Sequence, residues 1–217
     1  MQIHEIIRTR RTALGLTQEQ LAGKLGVSAP AVNKWERGNS YPDITLLPVL
    51  ARTLTALQLA KRVDEIVVAS REEDLLDISD LCHTYGITKC SKVVRGGASR
   101  VHSVLLAALE APTESELLAV QDGARPLVTP ELIDQVVSAA ARCGAAAPAV
   151  LIKDTVKEVR DGGAVERTLN REVLRAVQTP QVFDAELLKA ALQAALERED
   201  FVTDDCSAVE RLGKVVF

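Results

Sequence analysis

The first stretch of the chain has the hydrophobic pattern of an amphipathic helix. Its apolar residues Ile3, Ile6, Ile7 and Leu14 place side chains mainly on one helical face. Gly15 is expected to end this helix, because glycine readily adopts the left-handed conformation found at helix ends. The chain is therefore predicted to open with a helix.

Two further helices are predicted directly after it. Thr17 is a candidate N-cap, and Gln20, three residues later, completes a capping box ahead of the next apolar residues. Gly26 would supply a tight turn, and Ser28 would cap a third helix. This order of helix, short turn and helix is the pattern of a helix-turn-helix unit.

The third helix is predicted to turn one face inward and one face outward. Val32 and Trp35 would lie in a small core, while Asn33, Lys34 and Arg37 would face solvent. Polar and basic residues on an outward helix face favour its use as a recognition helix.

A fourth helix is expected to close this core. Asp43 would cap it, and Ile44, Leu47 and Leu50 would point inward. Pro48 marks either an early turn of this helix or the start of a new one, and both alternatives remain open at this point.

From about residue 64 the pattern changes to strands alternating with helices, which predicts a mostly parallel sheet in an α/β fold. Strands are expected at 65–69, 92–95, 117–121 and 147–152, and helices at 72–85, 99–110 and 130–142. The segments 154–160 and 164–170, joined by an Asp-Gly-Gly turn, predict a protruding hairpin. Helices at 185–198 and 204–212 and a strand fragment at 214–217 would complete the chain.

Charge is divided unevenly between the two regions. Residues 1–54 carry seven basic and four acidic side chains, a net charge of +3, so the rest of the 217-residue chain carries −7 out of a total of −4. A basic head on an acidic body is typical of a DNA-facing module joined to a domain that does not bind DNA. The interpretation is therefore two domains, at 1–54 and 55–217.

Composition indicates the cellular compartment in which the protein is expected. The sequence has no run of about 18 apolar residues and no signal-peptide core near its start, so we expect a cytoplasmic protein with no membrane partner. The four cysteines have no metal-type spacing, and we expect neither a zinc site nor a disulfide framework.

Three loops are candidates for chemistry, because α/β folds hold ligands beyond the carboxyl ends of their strands. The segment RGGASRVHSV offers backbone N–H groups at a helix start, and QDGARP offers Asp122 for a divalent ion and Arg125 for a phosphate. The segment TDDCSA is an acidic helix start. Each signal taken alone also fits an ordinary turn.

The segment LGLTQEQLAGKLGVSAPAVNKWERGNSYPD resembles the lambda-repressor/Cro-like helix-turn-helix family. The resemblance implies binding to double-stranded DNA, with the third helix in the major groove. The residues it places at the DNA are Thr17, Gln18, Ser28, Ala29, Pro30, Asn33, Lys34 and Arg37. Gln18 and Ser28 would contact the DNA backbone, and Ala29, Pro30, Asn33 and Lys34 would face base edges. A helical bundle used for protein contacts is the alternative.

The segments DEIVVAS, RGGASRVHSV, VQDGARPL, KDTVKEV, LRAVQTPQVF and TDDCSAVE resemble, in this order, the 2-C-methyl-D-erythritol 4-phosphate cytidylyltransferases. The resemblance covers about residues 48–217. It implies transfer of a cytidylyl group from CTP to methylerythritol phosphate with Mg²⁺, on an incomplete Rossmann-like nucleotidyltransferase sheet with a protruding β-arm.

The resemblance also implies site residues. Those for the nucleotide are Gly96, Gly97, Arg100, Ser103, Asp122 and Gly123, with Asp122 also holding Mg²⁺. Those for the sugar phosphate are Arg125, Thr155, Arg171, Thr179 and Thr203. An arm at 153–180 would join a homodimer and bring Thr155 and Arg171 to the partner's site. Gln121 stands where the family usually has histidine, and Arg175 where it often has tryptophan.

Two parts of the family pattern are missing. The family opens with a strand, a glycine-rich loop with an arginine, and a lysine, and it ends with an Asn-Ile-Lys segment; we find neither here. Without the first strand, the strands at 65–69 and 117–121 should keep unpaired edges unless they close up. The helix beginning near LLPVLARTL fits both families and is the expected junction.

Three interpretations follow. The first is a helix-turn-helix module fused to an incomplete cytidylyltransferase domain whose catalysis is impaired or absent, because nucleotidyl transfer depends on cations around the phosphates. The second is a transcription regulator whose second domain senses CTP or methylerythritol phosphate. The third is a truncated or misassembled gene product.

Overall fold

The computed structural model describes residues 3–25, 27–37, 48–198 and 202–217. Three short helices come first. They are α1 (Ile3–Ala13), α2 (Gln18–Leu25) and α3 (Ala29–Glu36). The predicted third helix and its early proline are confirmed, since Pro30 lies in the first turn of α3.

A small core joins these three helices. Ala22, Val32 and Trp35 are buried together, as the pattern predicted for Val32 and Trp35. The capping box is also confirmed: the Gln20 N–H donates to Thr17 Oγ1 at 3.1 Å, and the Thr17 N–H donates to Gln20 Oε1 at 2.8 Å. These two bonds satisfy N–H groups that a helix start leaves without partners.

Two local expectations in this region are wrong. Ser28 occupies the N-cap position of α3, but its side chain makes no capping hydrogen bond. Leu14 lies beyond the end of α1 and is 71% exposed, so it does not contribute to an apolar helix face. Ser28 has the extended backbone of an N-cap, with φ of −79° and ψ of 147°, but its hydroxyl does not bond the N–H groups of α3.

The next described helix belongs to the larger core. Helix α4 (Pro48–Leu59) has Pro48 as its first described residue, and residues 38–47 lie outside the described residues, so the two alternatives for this proline are not tested. Its residues Ala51, Leu54 and Leu57 are buried in the same cluster as β-strand and helix residues further along, and Leu50 packs against that cluster. The expected role of Leu50 in closing the small N-terminal core is therefore wrong. Asp43, Ile44 and Leu47 lie outside the described residues.

One parallel strand pair follows. Strand β1 (Ile66–Ser70) pairs with β2 (Cys90–Arg95), and α5 (Leu75–Thr84) crosses between them after a short 3₁₀ turn at Glu72–Asp74. Helix α6 (Arg100–Leu109) leads on to β3 (Leu117–Val120). This order matches the predicted alternation of strands and helices.

The second sheet is antiparallel. Strand β9 (Gln181–Asp184) lies between β3 and β4 (Ala145–Ala146) and runs opposite to both. Helix α7 (Pro130–Cys143) precedes β4, and α8 (Ala185–Glu197) and α9 (Asp205–Glu210) follow β9. Residues 214–217 form no assigned strand, but the Phe217 N–H donates to the Ala145 carbonyl at 3.0 Å.

An arm extends from this sheet. Strand β5 (Ala149–Leu151) pairs with β8 (Arg175–Val177), and β6 (Lys157–Val159) pairs with β7 (Val165–Thr168), all antiparallel. Gly162 and Gly163 have φ of 87° and 83°, which few other residues adopt without strain. The predicted hairpin and its turn are confirmed.

The expectation of a mostly parallel sheet is wrong. Within the described residues, β1 and β2 form the one parallel pair, and the other pairs are antiparallel. In place of the single strand expected at 147–152, the structure has two short strands, β4 and β5, which belong to different sheets. The expected gap is confirmed: β1 and β3 lie in separate sheets and do not pair with each other. Among the described helices, none is long and apolar enough to cross a membrane.

Candidate functional site

The carboxyl ends of β1, β2 and β3 meet at one place. The Gly96 N–H, just after β2, donates to the carbonyl of Ser70 at the end of β1 at 2.7 Å. Arg100 Nη2, at the start of α6, lies 3.5 Å from Oδ1 of Asp122, which follows β3. Loops at the carboxyl ends of strands are where α/β folds bind ligands, so this convergence defines the candidate site.

The loop after β2 is fixed by its own helix. The Gly97 N–H donates to Ser103 Oγ at 3.0 Å, and Ser103 Oγ donates to the Ser99 carbonyl at 2.8 Å. A Cβ on Gly97 would lie 2.2 Å from Cγ of His102, so the loop can take this path only with glycine there. Ser99 caps α6 by accepting the His102 N–H at 3.1 Å. The structure thus brings Gly96, Gly97, Arg100 and Ser103 together.

Arg100 is held by a buried carboxylate. Its Nη1 and Nη2 donate to Oδ1 and Oδ2 of Asp205 at 3.0 and 2.8 Å, and the Asp205 side chain is fully buried. Burial works against the charge on Arg100, but the hydrogen bonds and negative charge of Asp205 outweigh it and raise the Arg100 pKa. Burial also raises the pKa of Asp205, a rise that Arg100 opposes.

Gln181 orders the acidic helix start that carries Asp205. Its Oε1 accepts the N–H groups of Asp205 and Cys206 at 3.1 Å each, and its Nε2 donates to Asp204 Oδ2 at 2.8 Å. Sequence reasoning missed both Gln181 and the pairing of Arg100 with Asp205. The one available signal was the cluster TDDCSA, which indicated a helix start but not its partner.

Asp122 stands at the mouth of the site. Its N–H donates to Thr179 Oγ1 at 3.2 Å, and its Oδ2 accepts from Arg125 Nε at 2.9 Å. The side chains of Asp122 and Arg125 are 36% and 42% exposed. Ion pairs at this exposure contribute little to stability, so either partner can exchange the other for a ligand. The structure therefore joins Asp122, Arg125 and Thr179.

Helix α4 supports the loop that follows Asp122. Thr53 is buried, and its Oγ1 donates to the Gly123 carbonyl at 2.8 Å. A Cβ on Gly123 would lie 3.1 Å from Cδ1 of Leu50. These two contacts hold the loop after β3 against α4.

A cavity of about 970 Å³ opens beside this site and runs between β1 and β3. Its charged lining residues are Arg62, Asp64, Glu65, Arg100, Glu114, Glu116 and Asp122. Carboxylates thus outnumber guanidinium groups along the described lining. Gln121 also lines it, and its buried Oε1 has no hydrogen-bond partner in the described part of the chain.

Three of the expected sugar-phosphate residues make no described contact with Asp122. Thr155 is exposed on the arm, and Arg171, also exposed, donates to the Lys153 carbonyl. Thr203 is exposed just before α9, where its N–H donates to Ser207 Oγ at 3.1 Å. No described contact joins them to the central site within one chain, so their roles remain predictions.

The N-terminal helices hold part of their predicted DNA face in an internal network. Gln18 Nε2 donates to Glu36 Oε2 at 2.8 Å, and Asn33 Nδ2 donates to Gln18 Oε1 at 3.1 Å. Arg11 donates to both oxygens of Glu36, and this hydrogen bonding lowers the Glu36 pKa against the effect of burial. Exposed positions on this face are Ser28, Pro30, Lys34 and Arg37, and Ala29 is half-buried.

The donor set at Asp122 suits an ion that arrives with a ligand. The described residues contain no group of three or more histidine, cysteine, aspartate or glutamate side chains that could enclose a metal. Mg²⁺ commonly binds one or two carboxylates and completes its shell with water and substrate phosphates. The partly exposed Asp122 carboxylate fits that second arrangement.

The fold and this site define a nucleotide-handling α/β domain, in which a glycine loop, a helix start, a carboxylate and an exchangeable arginine converge at the strand ends. A model of the family "2-C-methyl-D-erythritol 4-phosphate cytidylyltransferase" matches residues 33–217. The enzyme of that name from Desulforamulus reducens is 45% identical over 170 residues, covering 78% of this chain and 73% of the relative. That from Halalkalibacterium halodurans is 42% identical over 166 residues, covering 76% and 72%.

Solved structures agree. The 4-diphosphocytidyl-2C-methyl-D-erythritol synthase of Anaerococcus prevotii superposes with a TM-score of 0.72 at 32% identity, covering 77% of this chain and 74% of that one. The cytidylyltransferase of Thermus thermophilus gives a TM-score of 0.61 at 32% identity, with 77% and 76% covered. The chain belongs to the 2-C-methyl-D-erythritol 4-phosphate cytidylyltransferase family, which confirms the resemblance seen in its sequence.

Proposed function

We propose that residues 48–217 bind CTP and methylerythritol phosphate at the Asp122 site but transfer the cytidylyl group only slowly. Family membership supports the choice of substrates. Slow transfer is supported by the ion pairs of the two arginines in the site. Arg100 is bound to buried Asp205, and Arg125 is paired with Asp122. A nucleoside triphosphate that entered here would meet carboxylates before it met exchangeable positive charge.

The residues of the site have separable roles in this proposal. Gly96 and Gly97 let the loop after β2 pack closely against Ser103 and His102 of α6, which would fix one wall of the nucleotide site. Thr179 accepts the Asp122 N–H and so fixes the backbone that carries the carboxylate. Arg125 exchanges Asp122 for the phosphate of the sugar, because an exposed ion pair costs little to break.

Asp122 would hold Mg²⁺ brought by the nucleotide. When bound, this ion would neutralise phosphate charge and make the phosphorus more open to attack. Cytidylyl transfer from CTP to a sugar phosphate relies on positioning and on charges placed around the phosphates. Each guanidinium group that is withheld from the phosphates would cost roughly 3–4 kcal/mol by analogy with single oxyanion-hole donors, so withholding both Arg100 and Arg125 would leave little turnover.

The experiment is a pyrophosphate-release assay on the full chain with CTP, methylerythritol phosphate and Mg²⁺, beside calorimetric titration of each substrate. We expect both substrates to bind and turnover to fall at least about 10³-fold below the roughly 10 s⁻¹ of a median enzyme. Asp122→Asn should remove the Mg²⁺ dependence of CTP binding. Turnover at ordinary rates would refute the impairment, and absence of binding for both substrates would refute the site.

A DNA-binding role for the N-terminal helices is a second candidate. It is favoured by two exposed basic residues, Lys34 within α3 and Arg37 at its C-cap, on the helix that follows α2. We propose that this module binds double-stranded DNA through these two side chains. Gln18 and Asn33 would have to leave their bonds with each other to reach the duplex.

Selection from a random-duplex library, followed by affinity measurements across salt concentrations, tests this role. Lys34→Ala should weaken binding and reduce the slope of log K against log salt by about 0.9 if Lys34 meets one phosphate. Arg52→Ala removes an exposed charge on α4 and serves as the matched control. If no sequence is selected and salt has no effect, the module serves protein contacts instead.

The two roles together describe a transcription regulator with CTP or methylerythritol phosphate as effector. Measuring the affinity for the selected duplex with and without each ligand tests whether that ligand is an effector, because an effector must change the affinity for DNA. Equal affinities would leave two unconnected functions.

The arm is proposed as a homodimer contact. It exposes the apolar side chains of Leu151, Val159, Val165 and Val173, which are 57–75% exposed. Such a surface favours association. In that dimer, Thr155 and Arg171 would reach the partner's sugar phosphate. Sedimentation of the wild type and of Val159→Lys measures the oligomeric state. We expect a dimer for the wild type and a weakened dimer for the variant, and a monomeric wild type would contradict the proposed contact.

A further inference from the structure

Strand β1 leaves one edge without a partner. The Ile66 N–H donates to the Lys89 carbonyl at 2.8 Å, and the Ser70 carbonyl accepts the Gly96 N–H at 2.7 Å. The backbone N–H and C=O groups of Ile66 and Ser70 therefore point toward β2. Successive residues of a strand turn their N–H and C=O groups to opposite sides. The backbone groups of Val67 and Ala69 therefore point away from β2, toward the cavity that they line.

Strand β3 presents the opposite edge of the same space. The Glu116 carbonyl accepts the Ala185 N–H at 3.0 Å on the β9 side, and Leu118 and Val120 stand opposite Phe183 and Gln181 there. By the same alternation, Leu117 and Ala119 turn their backbone groups away from β9. The two sheets do not pair with each other among the described residues.

Helices close the other two sides of this space. Leu50, Leu54 and Leu57 of α4 and Val104 and Ala107 of α6 are among the lining residues of the 970 Å³ cavity. We call this space, bounded by β1, β3, α4 and α6, the strand slot. A space with a strand edge on each side and helices on the remaining sides has the environment of an inner strand in a parallel sheet, which is apolar on both faces.

Charge is concentrated at one end of the slot. Asp64 and Glu65 precede β1, Glu114 and Glu116 precede β3, and all four line the cavity together with Arg62. Glu65 accepts a hydrogen bond from Ser91 Oγ, and Glu114 accepts one from Thr113 Oγ1 at 3.3 Å, but the described contacts give these acids no cationic partner. The loop after β2 connects the carboxyl ends of β1 and β3, because Gly96 bonds Ser70 and Arg100 approaches Asp122. The four acids therefore lie at the opposite, amino-terminal end of both strands.

We propose that the strand slot binds an extended segment of a separate polypeptide, added as a strand between β1 and β3 and parallel to them. About five apolar residues span the length of β1 at 3.3 Å per residue. Lysine or arginine at the amino end of the segment would complement the four carboxylates. Backbone hydrogen bonds supply the affinity of such strand addition, and the side-chain pattern supplies its specificity.

The probe is a synthetic peptide, KKVVAVVA, added to the full chain. We expect saturable binding and a rise of about 5–10 °C in Tm at a peptide concentration 100 times Kd. Hydrogen exchange of the Val67, Ala69, Leu117 and Ala119 amides should slow at least tenfold, because these N–H groups gain acceptors. Added salt should weaken binding through the acidic end.

Two matched controls isolate the backbone and the direction. Ala69→Pro removes an N–H that faces the slot and leaves the β1–β2 bonds intact, whereas Ala69→Ser keeps that N–H; the first should lose peptide binding and the second should not. Each variant is first checked for wild-type circular dichroism. The peptide VVAVVAKK, with lysines at the other end, should bind at least tenfold more weakly.

Three results would overturn the proposal. One is absence of binding, and another is equal binding of a peptide with prolines at alternate positions. The third is a sedimentation experiment in which the protein alone is a dimer that the peptide converts to monomers, which would make a second copy of the chain the occupant.

Discussion

The pairing of Arg100 with Asp205 allows a quantitative prediction about how the site is held together. The four proteins of a double-mutant cycle are the wild type, Asp205→Asn, Arg100→Met and the double variant. Asp205→Asn keeps the side-chain shape but replaces one acceptor oxygen with a donor that faces the guanidinium. Arg100→Met keeps a long apolar side chain without charge.

The magnitude follows from burial. Asp205 is fully buried and accepts two bonds at 2.8–3.0 Å, while the Arg100 side chain is 40% exposed. Breaking a fully buried pair costs about 3–5 kcal/mol, and exposed pairs contribute about 0.2–1 kcal/mol. Because water screens one partner, we expect a coupling free energy of about 2 kcal/mol, or a change in Tm of roughly 4–8 °C.

Urea unfolding followed by circular dichroism at neutral pH and low salt measures the free energy of unfolding for all four proteins. The expected result is that the double variant is more stable than the sum of the two single losses predicts. A coupling energy below about 0.5 kcal/mol would show that the buried carboxylate does not hold Arg100, and the argument that this cation is withdrawn from phosphates would fail.

Three further predictions test other parts of the chain. Gly97→Ala should cost about 1–3 kcal/mol in urea unfolding, because its Cβ would collide with His102. His102→Ala in the same chain should recover only part of that loss, because the Cβ of residue 102 would still lie 2.7 Å from the new Cβ. Thr53→Val should cost about 0.5–1.5 kcal/mol through the lost bond to the loop after β3, whereas Thr55→Val, whose bond lies within its own helix, should cost less. Glu36 has a lowered pKa in the folded chain, so its contribution to stability is present above about pH 4.5 and is lost as the pH falls through the folded pKa. Glu36→Gln should abolish that part of the pH dependence of unfolding. Fluorescence of the single tryptophan measures the unfolding at each pH.

Sequence reasoning succeeded where the controlling interactions are local. The capping box at Thr17 and Gln20 needs only three residues of separation, and the turn at Gly162 and Gly163 needs only residues with access to positive φ. The periodic apolar pattern likewise located β1, β2, β3 and the helices between them. Such signals depend on the period of the element and not on its distant partners.

It failed where the partner lies far along the chain. Strand β9 has a short apolar run that fits a loop or a strand equally, and its place between β3 and β4 reverses the expected strand direction. Arg100 and Asp205 are 105 residues apart, and Gln181 reaches the α9 start across 24. No local pattern identifies such pairs, because they are selected by tertiary packing.

The DNA face shows a related difficulty on a smaller scale. Gln18 and Asn33 have the residue types and positions of DNA contacts, but the structure uses them to connect α2 and α3 through Glu36. A polar side chain on a helix surface serves equally well in a network or at a ligand. Which use prevails depends on whether a buried acceptor, here Glu36, lies within reach.

Charge and hydrogen bonding together account for the proposed chemistry of the site. Arg125 exchanges readily because both it and Asp122 are more than one-third exposed, whereas Arg100 would leave buried Asp205 without a partner if it moved to a phosphate. A single exchangeable guanidinium can compensate the phosphate of a sugar better than the larger charge of a triphosphate. The site should therefore bind a sugar phosphate more readily than it positions CTP for transfer. Such a site keeps substrate binding but loses the stabilisation of the transition state, so turnover is lost before affinity.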